Sequence, residues 1–236
     1  MYFYPHLINR AQEILALGLK ADARLGTFFA LDNRRAYRIY LAADHLQFET
    51  IASMNTDWVR DWWLVGAALT PYDHVIMDPD RWDPRSRRSV DIEKLVAHEM
   101  SHSYSLSMIR GFRRTECRIV PKRPENTDSW IYWFEEGLAT FVSGQVTDWR
   151  DEISNDLAVF PGLNYATAGS VVGFLLHKFG KEKIFAAIRG MPLNYAERSC
   201  ASQCDKVLFD TLGMSGLRSL ESEWKVYKAK LWGSER

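Results

Sequence analysis

The run Val96-Ala97-His98-Glu99-Met100-Ser101-His102-Ser103-Tyr104 decides how the rest of the chain is read. It contains His-Glu-x-x-His. In an α-helix each residue advances about 100°, so His98 and His102 lie about 40° apart on one face, one turn above the other. That spacing lets two imidazoles reach one ion. Glu99 points about 60° aside from His102, close enough to touch a water on that ion without being a ligand itself. Neutral imidazole nitrogens bind zinc, and the neighbouring carboxylate takes a proton from the water. With 6 His and 14 Glu in 236 residues, chance would produce this pattern in about one such chain in a hundred. The residues around it must therefore decide between a metal site and a helix carrying two unrelated histidines.

The length suits one large domain or two lobes sharing a core. An apolar fraction of 47% and a charged fraction of 25% are those of a folded globular protein. Thirty basic and thirty acidic residues balance, which excludes the charge footprint of a nucleic-acid or membrane-surface binder. Nine tryptophans exceed what a core needs and suggest cleft walls. No run approaches the eighteen or so apolar residues of a transmembrane span. The start, Met1-Tyr2-Phe3-Tyr4-Pro5-His6, lacks a basic n-region and Arg10 interrupts the apolar stretch, so no signal peptide is read. Cys117, Cys200 and Cys204 are too few and odd in number for a disulfide framework. The default compartment is cytoplasmic, with an envelope or secreted setting if an upstream segment has been trimmed.

Residues 6–24 read as an amphipathic helix with Leu7, Ile8, Ala11, Ile14, Leu15 and Leu19 near helical spacing. Residues 35–42 alternate and read as a half-buried strand. Asp44 is a cap for a short helix over 45–53. Residues 62–70 and 74–77 read as two strands around a turn at Pro71-Tyr72-Asp73. Residues 78–89 read as a loop broken by Pro79 and Pro84. Ser89 is then the N-cap of a helix running to about Gly111, with Asp91 and Glu93 at its positive end and Leu95, His98, His102 and Leu106 along one face. A basic connector, 110–129, comes next, and a helix over about 129–146. Residues 150–164 read as irregular. Helices over Tyr165–Phe179, Lys181–Ile188 and Leu217–Trp232 close the chain, with Gly180 and Gly190 between them. Strands first and helices after imply an α+β fold with segregated layers. The whole of 1–236 is read as one domain, with a helix-plus-sheet lobe over 1–89 and the zinc helix and a helical lobe over 90–236.

A catalytic zinc takes three protein ligands and keeps a position open. A metzincin third histidine would fall where the chain has Met108, after a glycine where it has Ser105. His74 and His177 lie in no organised surroundings. On the helix over 129–146, Glu136 and Glu135 are both candidates. Glu136 shares a face with Ala139 and Thr140, and Gly137 and Ala139 are small enough to let that helix approach the zinc helix. Glu135 is rotated about 100° away.

His98-Glu99-Met100-Ser101-His102 followed by Trp133-Phe134-Glu135-Glu136-Gly137-Leu138-Ala139 resembles the gluzincin metallopeptidases. It is most similar to the peptidase MA-like domains and more distantly to aminopeptidase N and thermolysin-like catalytic domains. The likeness continues through Tyr165 to Leu176, Phe179-Gly180, Leu212-Gly213-Met214 and Glu223-Trp224-Lys225, covering about residues 35–232. The resemblance implies a thermolysin-like zincin domain: a small N-terminal β-sheet lobe with an edge strand before the zinc helix, then a helical C-terminal lobe. It implies Glu136 as third ligand of a single zinc ion and Tyr165 as the hydroxyl that stabilises the transition state, with Tyr104 and Tyr132 as competitors. The amine-anchoring glutamate of the aminopeptidases falls at Leu69, within Gly66-Ala67-Ala68-Leu69-Thr70. That departure implies an endopeptidase, with Gly66, Ala67, Ala68 and Leu69 offering backbone to an extended peptide or protein substrate. The rival reading is a domain of the same fold that holds zinc without turnover and serves interactions. Structural zinc sites are usually closed and cysteine-rich, and such a site would leave Glu99 without a role.

Overall fold

A computed structural model of the chain describes residues 1–31, 38–44, 46–48, 50, 66–70, 73–77, 91–108, 130–157, 164–191 and 201–232. The chain divides into two compact units, Met1–Ser107 with Arg113–Arg123, and Met108–Phe112 with Pro124–Arg236.

The first unit opens on a single 3₁₀ turn, Pro5–Leu7, and a 22-residue helix, α1, Ile8–Phe29. Ala11, Ile14, Gly18, Ala21, Leu25 and Phe29 are its buried residues. Their three- and four-residue steps form one apolar stripe. Ile8, Leu15 and Leu19, expected on that stripe, are exposed. They lie one residue off its register, and the buried face combines small residues, Ala11, Gly18 and Ala21, with Ile14, Leu25 and Phe29. Strand β1 is Arg38–Ala42, β2 is Gly66–Thr70 and β3 is Asp73–Met77. Their order is β1-β3-β2, with β1 parallel to β3 and β2 antiparallel to it. Tyr2 runs beside β1. Its N–H donates to Ile39 O at 2.8 Å, its carbonyl accepts from Leu41 N at 2.9 Å, and its ring stacks on Tyr40.

The helix that carries the histidines, α2, is Ile92–Met108. Asp91 caps it, accepting from Glu93 N at 3.0 Å and Lys94 N at 3.2 Å through Oδ1. Ser89, the expected cap, lies outside the described residues. Asp91 supplies what the start needs, since its oxygen meets amides that have no helical acceptor. The face of α2 opposite the histidines packs on α1. A Cβ at Gly18 would stand 3.4 Å from Ile39 Cδ1 and 3.9 Å from Met100 Sδ. Tyr104 stacks on Phe29, and its hydroxyl donates to Asp22 Oδ1 at 2.6 Å and lies 3.0 Å from Asp22 O.

The described residues of the second unit beyond Met108 are helical or irregular. Helix α3 is Trp130–Ser143, α4 Tyr165–Phe179, α5 Lys181–Gly190, α6 Ala201–Leu212 and α7 Leu217–Trp232. Helices α3 and α4 are in backbone contact. A Cβ on Gly137 would lie 2.6 Å from Ala168 O, and Cβ atoms on Gly169 and Gly173 would lie 2.9 and 2.8 Å from Thr140 Cγ2 and Phe141 Cε2. Helix α7 is anchored by wholly buried Trp224, whose indole N–H donates to Ser170 Oγ at 2.9 Å. It also holds the segment before α4. Lys228 donates to Ser154 O and Asn155 Oδ1, and Leu157 N donates to Glu221 Oε1. Burial in this contact, and then the nearby Lys225 charge, hold the Lys228 ammonium below the ordinary lysine range.

The described residues are mostly helical, which corrects the expected α+β class. A thermolysin-like zincin domain with an N-terminal β-sheet lobe is not what they form. Among the described residues strand is confined to runs of five, while α1 and α2 supply most of the first unit's side chains described as buried. Alternation over a few residues marks a strand locally but says nothing of which element fills the core. Helix α6 is not among the helices expected from the sequence. Pro192 and Asn194 precede it and hide its start, although Leu208 and Leu212, both buried, stand one turn apart. Of the short helix over 45–53, residues 46–48 and 50 are helical, and Asp44 Oδ1 accepts from Gln47 N at 2.8 Å as a cap. The loop over 78–89, the basic connector, Cys117 and Cys200 lie outside the described residues. Among the described residues no helix is long and apolar enough to cross a membrane.

Two substitutions test this packing. Gly137→Ala gains about 1 kcal/mol of helix propensity, but the methyl must push the Ala168 carbonyl aside, an overpacking cost that reaches about 3 kcal/mol. Calorimetry should therefore show a lower Tm, and an unchanged or raised Tm would contradict the close approach. Tyr104→Phe removes the hydroxyl that ties α2 to α1. It should cost about 1–2 kcal/mol in a denaturant titration, with the m-value unchanged.

Candidate metal centre

Helix α2 presents His98 and His102 on one face. Their ring centroids are 5.1 Å apart and their planes 75° apart, as one-turn spacing requires. His98, Glu99 and His102 are 5%, 7% and 7% exposed. Burying two imidazoles and a carboxylate on one turn is costly unless each is used. The helix also contains serines that satisfy themselves locally. Ser101 Oγ donates to His98 O at 2.7 Å and Ser105 Oγ to His102 O at 3.0 Å. These hydroxyls thus bond to the backbone of the two histidines, one turn apart, and do not compete for the imidazoles.

His98, His102 and Glu136 each offer one ligand atom, and these atoms all lie within 4.8 Å of one another. Both histidines are buried and Glu136 is half-buried. The group could hold a metal ion. Two imidazole nitrogens and one carboxylate oxygen are a donor set that suits zinc and leaves a coordination position open. A tetrahedral ion about 2.1 Å from each donor would separate them by about 3.4 Å, a spacing that falls inside the 4.8 Å limit. The fit is therefore good in donor chemistry and in spacing.

Glu135, the alternative to Glu136, is half-buried and is not in the group. Gly137, beside Glu136, has a packing role of its own. Gly137 admits the Ala168 backbone of α4, so its missing side chain sets the α3–α4 distance. His177 is exposed and rests against the Tyr227 ring, 5.1 Å between centroids. The side chain of His74 lies outside the described residues, as does that of Tyr132.

Tyr165 is the first residue of α4. The preceding Asn164 caps the helix, its Oδ1 accepting from Thr167 N at 3.1 Å while its amide donates to Glu152 O at 2.7 Å. The Tyr165 ring is half-buried and meets the Trp149 ring edge-on, with centroids 6.2 Å apart. Trp149 was not singled out in the sequence. Its signal there was weak, one tryptophan among nine in a stretch without helical or strand periodicity. Tyr104 is committed to Asp22 and faces away from the histidines. Gly66, Ala67, Ala68 and Leu69 form most of β2, the last strand in the sheet order. One further residue emerges from the structure. Thr140, one turn after Glu136, is wholly buried, and its Oγ1 has no hydrogen-bond partner among the described residues.

Compared with known proteins, the chain matches no protein-family model, and no curated protein matches it.

Proposed function

We propose that the chain is a zinc-dependent peptidase of gluzincin type that cleaves within peptide or protein substrates. The observation that carries this reading is the His98, His102 and Glu136 group, with donor atoms within 4.8 Å of one another and the buried Glu99 carboxylate next to His98 in the chain. A bound zinc ion would supply Lewis acidity, acidifying a water and polarising the scissile carbonyl.

The chain's own residues then have distinct parts. Glu99 accepts the proton of the attacking water at its carboxylate and later delivers it to the leaving amine. Its burial favours this, since few waters compete for the proton. Glu136 contributes a negative charge that three histidines would not, which keeps the set from being strongly cationic. Tyr165 donates its phenolic hydrogen to the oxygen on which charge develops. Its place at the start of α4, with Trp149 against its ring, limits the positions the phenol can take. Leu69 stands where an aminopeptidase would carry an amine-binding carboxylate, so nothing at that position requires a free N-terminus.

Purified protein should carry about one zinc per chain by elemental analysis, and less than half an equivalent after gentle handling counts against the site. Cleavage of casein-like and peptide substrates should stop on adding a chelator and return with zinc. Glu99→Gln should keep zinc and lose at least about 10²-fold in kcat. Full activity in that variant would sink the mechanism, and zinc without any cleavage in the native protein would favour a binding module. Tyr165→Phe should lower kcat about 10²-fold with little change in KM; a fall in Tm alongside the fall in activity would instead mark the tyrosine as packing.

A further inference from the structure

The Thr140 side chain is the described polar group that the protein's own hydrogen bonding does not explain. It is wholly buried, and its Oγ1 meets no partner among the described residues. Hydroxyls on helices ordinarily avoid this by donating back to a carbonyl of the preceding turn. Ser101, Ser105, Ser107 and Ser143 all do so here. Thr140 does not. Its methyl carbon would lie 2.9 Å from a Cβ on Gly169, so it fills the space that glycine leaves. Seating the methyl there fixes the rotamer, and with it the direction of the hydroxyl.

A buried hydroxyl without a partner is unfavourable. Any state of the protein in which the hydroxyl is used is therefore stabilised relative to one in which it is not. Glu136 lies four residues earlier on the same helix, and side chains at that spacing are neighbours, with Cβ atoms about 5–6 Å apart. A carboxylate that gives one oxygen to a metal keeps a second oxygen able to accept, and ligands held through that second contact are better oriented.

We infer that the Thr140 hydroxyl is a positioning donor for Glu136, giving its hydrogen to the oxygen of Glu136 that is not on the metal, directly or through one ordered water, when a divalent cation is held. The inference rests on the metal-site reading of His98, His102 and Glu136. Thr140 touches neither substrate nor the reacting atoms and acts only through Glu136.

Two variants of the full chain test it, each read by zinc affinity in a chelator competition and by the Tm of the metal-free protein. Thr140→Val keeps the shape and removes the hydroxyl. It should weaken zinc binding about 10–100-fold, while the metal-free Tm stays level or rises because a buried orphan has been removed. Thr140→Ser keeps the hydroxyl and empties the methyl's seat on Gly169. It should lower the metal-free Tm and leave zinc affinity within about 3-fold of the native value by the same reasoning. A merely structural threonine gives the opposite signature, with metal-free Tm falling in Thr140→Val. That result, or native zinc affinity in Thr140→Val, overturns the inference. If the native chain itself takes up no zinc, the metal-site reading fails and this inference with it. Native uptake with an unaffected Thr140→Val sinks only the role of the hydroxyl.

Discussion

Three polar side chains buried within one turn of helix, His98, Glu99 and His102, set the terms for the first unit. Desolvating them is costly, so the helix that carries them must be held in place by contacts elsewhere on its surface. The opposite face does this. Met100 approaches Gly18, and Tyr104 stacks on Phe29 while donating to Asp22. Gly18 of the α1 stripe serves the same packing, since a Cβ there would already be in van der Waals contact with Ile39 of β1 and Met100 of α2. The rotation of α2 about its own axis, and hence the direction in which both imidazoles point, is thus decided by residues that never touch them.

In the second unit the governing contact is between backbones. Gly137, Gly169 and Gly173 bring α3 and α4 close enough that added Cβ atoms would overlap carbonyl or side-chain atoms. Glu136 sits next to the tightest of these points. A helix pinned that closely to its neighbour has little freedom to slide, so the height of the Glu136 side chain along α3 is fixed by packing. Helix α7, through Trp224 and Lys228, secures the segment that precedes α4, and Asn164 joins that segment to the helix start at Tyr165. Polar contacts of the irregular stretch therefore determine where the Tyr165 ring stands.

How much of this could be read beforehand depended on the kind of signal. His98 and His102 were legible as members of a group that could hold a metal ion because their chemistry and their spacing coincide. Glu136 was legible as a member of the group from its place beside Gly137, and that glycine admits the Ala168 backbone of α4. The fold class was not legible. Short alternating stretches at 35–42 and 62–77 look like a sheet lobe, yet the buried surface is mostly helical, and alternation carries no information about the partner. The α1 stripe was read one register off, because Gly18 and Ala21 are buried by close approach while the larger Leu15 and Leu19 face outward. Helix α2 itself has a weak apolar stripe. Its serines bond back to the chain, so it can be buried nearly all round without a hydrophobic pattern to announce it. Thr140 had no sequence signal beyond its four-residue distance from Glu136, since an orphaned hydroxyl is visible only once its surroundings are.

The burial of the three metal-binding candidates is uneven, and the unevenness has a reason. His98 and His102 are buried. An isolated carboxylate is costly to desolvate. Glu136 is half-buried and so keeps part of its hydration before any ion arrives. Binding then exchanges water on that carboxylate for the ion, which is a smaller penalty than keeping a bare charge in the core throughout folding. Thr140 lies on the other side of that balance. As a neutral hydroxyl it can be desolvated in advance at modest cost, so a buried donor stands one turn from Glu136 before any ion is held. On the proposed reading, the half-buried charge and the buried hydroxyl one turn on would divide the cost of assembling the site between the folding of the chain and the arrival of the ion.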